Sequence, residues 1–563
     1  MVRFVFVIYL IVSILTNPLY SQTATVERSI DNVYKHGFRG LKSIVNTTTG
    51  EVFGHYLFYR SGSSLVVEFL DLELNTYKKE YLDTGGWTEI KEAVFNGQHL
   101  LFSVAKTDDM YYDGFEDYFS STKLFSYSID GEQVGRRSVN YFVGKGVEMS
   151  VYPGNSDDSF YIIVPMKNKS FSVEKYTSSL QHVWTKEYRT EKGVATCEAA
   201  FTGSDRIALI VRTKDKRTGK RVKANLVCLN DQTGDEMFVT PLNDDKITAI
   251  PSQVLIDNDG NVVTVGDYYK GDKERSRKSK GIVMRKISPT GEDIYYNQQK
   301  WRRGVKRQMR KSKANVGMNS KVLFQDLVQS ADGGYQLIGE TFSTSQVGGV
   351  IGKLDKGVST VVAATTDDNI IADIIDLIAF SQRIKVFTTA IVSGRYIGFA
   401  YPELSPGCII IQDFVVFNFD DELNFTSIDK IAKPSQTKVY TYHPYDWYGG
   451  LRKAKTVADF GFFDYAFSQQ SETDNQKILV YNASYARKPH IGVVRMEKGL
   501  PVETKEIYFK KLTGDKGDGK YGLAGCAPSV PGKMVVYYFV GEDTDDETKK
   551  KGSLYFYLEG IEL

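Results

Sequence analysis

A succession of similar units, each read as a meander of about four short strands, predicts an all-β chain folded as a β-propeller of seven or eight four-stranded blades. Three observations carry that expectation. Hairpin signals recur along the whole chain, with Asp-Gly or Pro-x-Gly set between alternating apolar runs, where glycine supplies the positive φ of a tight turn. Unit starts fall near residues 38, 88, 146, 194, 249, 322, 437 and 520, a spacing of roughly 45 to 60 residues that suits blades. Tyr (36) and Phe (32) are abundant while Pro (14) is scarce, as pleated, half-buried surfaces require.

The clearest unit runs from Pro251 to Asn297. Its first strand, SQVLI, meets the turn Asp257-Asn258-Asp259-Gly260-Asn261 and then the strand NVVTVGDYY. After a charged connection comes GIVMRKI, the turn Ser288-Pro289-Thr290-Gly291-Glu292, and the strand DIYYN. The same order returns in LVQSADGGYQLIGETF (327–342) and, for the last two strands, in LFSYSIDGEQVGRRSV (124–139) and VVFNFDDELNFTSIDKI (415–431). The last unit supplies KMVVYYFV and SLYFYLEGIEL but no fourth strand. The segment ATVERSIDNVY (24–34) has no other unit to join, so the ring is expected to close by pairing it with the C-terminal blade, which removes two exposed edges.

The remaining organisation is simple. Arg3, the apolar run from Phe4 to Leu15 and Ser21 ahead of Gln22 read as a signal peptide over residues 1–21. That run is shorter than the roughly 20 residues of a spanning helix, and no later segment is long and uncharged enough to cross a bilayer. Residues 22–563 are then a single propeller-like domain, exported to the periplasm, the outer surface or the extracellular space. Two stretches depart from the repeat: an insertion at about 343–410, rich in isoleucine at helical spacing, and a basic inter-blade loop at about 270–313. From Lys270 to Lys313 there are sixteen Lys or Arg against four Asp or Glu. Across the chain the net charge is only +2, so no global field points to nucleic acid, and none is expected as a partner.

The Asp332-Gly333-Gly334-Tyr335 turn, followed by Gly339, resembles the DGGY…G blades of secreted bacterial propeller-like repeat proteins. That resemblance implies fold and export; such repeats share no activity. Neither Asp-rich calcium repeats nor a C-terminal sorting module accompanies it.

Chemical motifs are sparse. Ser330 to Gly334 opens like a sialidase Asp-box, but Leu337 stands where the aromatic residue belongs. Gly514 to Lys520 imitates a phosphate loop, with Tyr521 in place of the magnesium-binding hydroxyl. Six histidines stand singly, without HExxH spacing, and there is no GxSxG elbow. Of the four cysteines, Cys197 and Cys228 are placed to bridge neighbouring strands of one unit, with buried free thiols as the ordinary alternative.

Three groups stand out as binding candidates. Tyr442, His443, Tyr445, Trp447 and Tyr448 crowd into YTYHPYDWYGG, a surface suited to sugar stacking or a protein contact. Lys300, Trp301, Arg302, Arg303, Lys306, Arg307 and Arg310 offer a surface for an anionic partner, with Trp301 adding a stacking ring. Asp109, Asp113 and Asp117 lie in DDMYYDGFEDYF, where carboxylates would suit calcium; no other cofactor is expected. The functional expectation is a monomeric, non-enzymatic binding or scaffold protein whose partner is a protein or polysaccharide. A propeller enzyme acting on glycans, as hydrolase or lyase, is the alternative.

Overall fold

The computed structural model describes most of residues 26–563; residues 1–25, 31–37, 107–117, 308–320, 347–406, 442–462, 509–523, 542–553 and several shorter stretches lie outside the described residues. The chain is an eight-bladed β-propeller. Blades one to seven span residues 38–82, 88–143, 150–188, 193–241, 247–300, 321–441 and 465–508, each an antiparallel meander in sequence order. Blade eight takes three strands from residues 524–562, and Val26–Ile30 supplies its outermost strand by pairing with Leu554–Glu562 (Val26 opposite Gly560, Ile30 opposite Phe556). The expected closure is present, and it settles the blade number at eight.

The core is divided into eight apolar clusters, one for each junction between neighbouring blades. Period-two side-chain alternation makes this partition. In Ser159–Met166 of blade three, Phe160, Ile162 and Val164 face blade two, while Tyr161 and Ile163 face blade four. A middle strand is therefore apolar on both faces, whereas the fourth strand, His182–Tyr188, is largely exposed and buries only Trp184.

Two departures from the repeat have local causes. The strand Gly407–Phe419 is long enough for two strands to share its outer edge: Phe425–Ile431 pairs with its second half and Thr437–Thr441 with its first. Residue 437 thus begins a fifth strand of blade six, and blade seven starts at Tyr465, later than the sequence spacing suggests. Cys197 and Cys228 are both free thiols. They sit on the first and third strands of blade four, with Arg206–Asp215 between them, so they are not on neighbouring strands.

The turn between a blade's third and fourth strands fixes how blades meet. In Asp71 to Asn75 and Asp420 to Asn424 the leading aspartate accepts the Asn N–H at 2.7 Å in both turns, and the fourth residue is left-handed. Among the described residues three turns place leucine there: Leu74, Leu180 and Leu423, with φ of 65°, 61° and 63°. A left-handed leucine costs roughly 1–2 kcal/mol. Each of the three is buried in an inter-blade cluster, which contributes about 1.5–3 kcal/mol and offsets that strain.

Candidate functional site

The innermost strands surround the ring's axis, and among the described residues six of them carry a bulge, after Phe38, Ile90, Cys197, Pro251, Phe324 and Tyr465. A bulge leaves one residue unpaired and turns the strand locally, re-aiming the side chains around it. In three blades the residue just beyond the bulge reaches the innermost strand of the next blade. Glu92 accepts the Val151 N–H at 2.7 Å, Gln253 donates to the Phe324 carbonyl at 3.1 Å, and Asp326 accepts the hydroxyls of Tyr465 at 2.8 Å and Ser468 at 2.9 Å.

Behind these contacts lie buried ion networks. Between blades three and four, Lys175 Nζ meets Asp231 Oδ1 at 3.0 Å, and the Tyr161 hydroxyl donates to the same oxygen. The Trp184 indole N–H donates to the Asp231 carbonyl at 2.9 Å. In blade five Lys286 Nζ is 3.2 Å from Asp257 Oδ2, which also accepts the hydroxyl of Tyr335 from blade six at 2.8 Å. Burial pushes the Asp257 carboxyl up, but hydrogen bonds from Asn261, Tyr335 and Lys286 outweigh it and hold the group below the usual carboxylate range.

The most elaborate network joins blades six and seven. Lys433 Nζ lies 2.6 Å from Glu340 Oε1 and 2.6 Å from Asp464 Oδ2, and all three side chains are almost wholly buried. Thr437 Oγ1 donates to Asp464 at 3.0 Å, Gln325 Nε2 to Glu340 at 3.3 Å, and the Lys433 ammonium sits 4.9 Å from the centre of the Phe414 ring. Burial raises the Glu340 carboxyl to about 7; Lys433 opposes that rise and Asp464 adds to it. Next to it lies the Asp326–Tyr465–Ser468 set, where burial lowers Lys477 to about 8 and Asp326 pulls it back up. This junction is the principal concentration of perturbed groups among the described residues, and such concentrations mark functional sites more often than chance.

One other arrangement has the right residue types for nucleophilic chemistry. Ser43 Oγ and His55 Nδ1 are 3.1 Å apart. Burial lowers His55 to about 4, with Asp71 opposing, and the Ser43 hydroxyl donates to the Pro528 carbonyl. A base this weak beside a hydroxyl already bonded elsewhere does not make an activated nucleophile.

The residues singled out in the sequence are only partly brought together. Tyr442, His443, Tyr445, Trp447 and Tyr448 lie outside the described residues, as do Asp109, Asp113, Asp117, Arg302, Arg303, Lys306, Arg310 and the Gly514–Lys520 stretch. Lys300 and Arg307 are exposed. Trp301 is turned inward: it packs on the core between blades five and six, with buried Val305 in the same cluster, and its indole N–H donates to Ser279 Oγ at 2.9 Å. Its ring is a root for the basic tract. Among the described residues no three His, Cys, Asp or Glu are grouped to hold a metal ion, and no helix is long and apolar enough to cross a membrane.

Sequence reasoning missed the blade six–seven cluster because Glu340, Lys433 and Asp464 come from separate elements. The available signal was Glu340 itself. In Tyr335–Gln346 it shares the inward face with Ile338 and Phe342, where a carboxylate needs a buried partner.

A family comparison decides kinship where the geometry does not. The profile of DUF6770, a family of unknown function, matches residues 1–396. The chain belongs to that family. No curated protein matches it in sequence. Solved structures similar to this DUF6770 chain include the Dos1 propeller (9% identity, 96% of this chain and 95% of that one, TM-score 0.39). The WD40 domain of SCAP from fission yeast is another (8%, 96% and 98%, TM-score 0.36). A third is a prolyl endopeptidase (10% identity, TM-score 0.37). The match covers 91% of this chain and 54% of that one, so the chain spans about half the endopeptidase's length. Likeness at this level concerns shape and carries no activity across.

Proposed function

We infer that the protein is an exported, non-enzymatic binding scaffold of the cell envelope or extracellular space, acting as a monomer on a protein or polysaccharide. The observation that carries this reading is the commitment of its buried charges. The buried pairs Lys175–Asp231, Lys286–Asp257 and Arg212–Glu198, and Lys433 with Glu340 and Asp464, are closed inside the fold. A glycan-cleaving enzyme needs two carboxylates facing a cleft, one of them free to pass a proton to substrate. Here the buried carboxylates Glu340 and Asp464 are bridged by an ammonium.

The aromatic residues Tyr442, His443, Tyr445, Trp447 and Tyr448 are the proposed contact. Their segment leaves blade six at Thr441 and returns at Asp464, and the Thr437–Asp464 and Lys433–Asp464 bonds tie its two ends together. The basic residues Lys300, Arg302, Arg303, Lys306, Arg307 and Arg310 would add attraction for an anionic polysaccharide.

The test is retention of the exported chain on immobilised envelope polysaccharides, with released reducing ends measured in parallel. Retention without product is expected, together with at least about a tenfold loss in the double variant Tyr445→Ala, Trp447→Ala, the size of a hot-spot truncation. Steady release of reducing ends would replace the scaffold reading by the glycan enzyme. Retention unchanged in the variant would remove the aromatic segment as the contact. N-terminal sequencing of the exported material should begin near Gln22; a start at Met1 would overturn export by a cleaved signal.

A further inference from the structure

The cluster between blades six and seven has an imbalance that the buried Lys286–Asp257 pair lacks. Lys286 faces one carboxylate, whereas Lys433 is shared by two, each at 2.6 Å. With all three groups ionised, the joint buries one uncompensated negative charge. Taking such a charge out of water is expensive, and the least costly relief is a proton.

The surroundings determine which carboxylate takes it. Asp464 accepts Thr437 Oγ1 through both oxygens, at 3.0 and 3.1 Å, in addition to Lys433. Glu340 has, besides Lys433, only longer contacts: Gln325 Nε2 at 3.3 Å and the backbone N–H groups of Asp464 at 3.3 Å and Tyr465 at 3.4 Å. Glu340, held by the longer contacts, is the acceptor.

Other charged groups around the joint are paired apart from it. Asp413, from Gly407–Phe419, pairs with Lys430 at 2.8 Å and accepts the Lys433 N–H at 3.1 Å. Asp326, from Lys321–Gln329, is occupied by Tyr465 and Ser468 and lies near Lys477, from Gln476–Asn482. Phe414 and Tyr481 close the site with rings 5.3 Å apart.

We propose that Glu340, Lys433 and Asp464 form a proton-binding site that couples the joint between blades six and seven to pH near neutrality. Glu340 binds the proton while Lys433 stays charged between the two acids. The protonated joint is the more stable one. Glu340 in the folded protein sits near 7, above its usual 4.5, so the folded state holds more protons than the unfolded state across that window. The stability it contributes is fully present below about 4.5 and is lost as pH rises to about 7.

Denaturant unfolding of the full chain at a series of pH values from 5 to 9 tests this. The ratio of the unfolding constants of the wild type and Glu340→Gln should climb severalfold per pH unit up to about 7 and then level off. Asp464→Asn leaves one carboxylate facing Lys433, so its transition should move to lower pH. A Glu340→Gln profile parallel to the wild type, or no displacement in Asp464→Asn, would overturn the proposal. If either variant fails to fold, infrared difference spectra of the wild type between pH 5.5 and 8.5 decide. A protonated-carboxyl band that titrates near 7 supports the site, and its absence removes it.

Discussion

The junction between blades two and three and the junction between blades three and four solve one packing problem in opposite ways. At the first, Leu180 reaches from the left-handed position of its turn over Gly135 of the preceding blade, where an added Cβ would come within 2.7 Å of the Ser179 backbone. At the second, the turn position is Gly234, and Trp184 of the preceding blade lies over it; a Cβ there would be 2.7 Å from the indole. Gly135 and Trp184 hold the same place in their fourth strands, just beyond the irregularity next to the turn. The gap between blades is therefore a fixed volume, and either neighbour can fill it. The second junction also buries the Lys175–Asp231 pair beneath the indole.

That difference sets the order of expected effects. Asp231→Ala should be the most damaging change, at about 3–5 kcal/mol, because it leaves the Lys175 ammonium buried without its carboxylate. Denaturant unfolding measures it, and a loss under about 1 kcal/mol would show the pair to be incidental. Trp184→Gly should cost about 3–4 kcal/mol through the void and the lost indole hydrogen bond. Adding Gly234→Leu to it should recover about 1–2 kcal/mol, converting the second junction to the plan of the first; Gly234→Leu alone should destabilise. Additive single effects in that cycle would break the comparison. Leu180→Gly should be mildest, about 1–3 kcal/mol, since relief of the left-handed strain returns part of the burial it loses. A larger loss there than in Trp184→Gly would mean that the two plans are not equivalent.

The glycine turns are legible in the sequence. Asp or Ser, two residues on, then Gly, states a hairpin by local chemistry alone, and counting such turns recovers the blades. Leucine in the same position carries no such mark, because its conformation is enforced by burial against another blade. The fifth strand of blade six escapes the count for a related reason. Thr437–Thr441 looks like the start of a unit, and only the unused edge of Gly407–Phe419 reassigns it. The proton-binding cluster is least visible. Lys433 lies 93 positions from Glu340 and 31 from Asp464, and no spacing rule joins residues that meet only after the ring has formed.

The seam of the ring has a consequence in time. Seven blades are contiguous segments, each able to assemble once its own strands are made, but Val26 must find Gly560, 534 positions later. At synthesis rates of about 5–20 residues per second, that delay is about half a minute to two minutes. Throughout it the first-made strand has no partner and the growing arc ends in two uncovered apolar blade faces. The unpaired strand invites pairing and the bare faces invite packing with a neighbouring chain, so a nascent arc is most exposed to misassembly just before its last strand arrives.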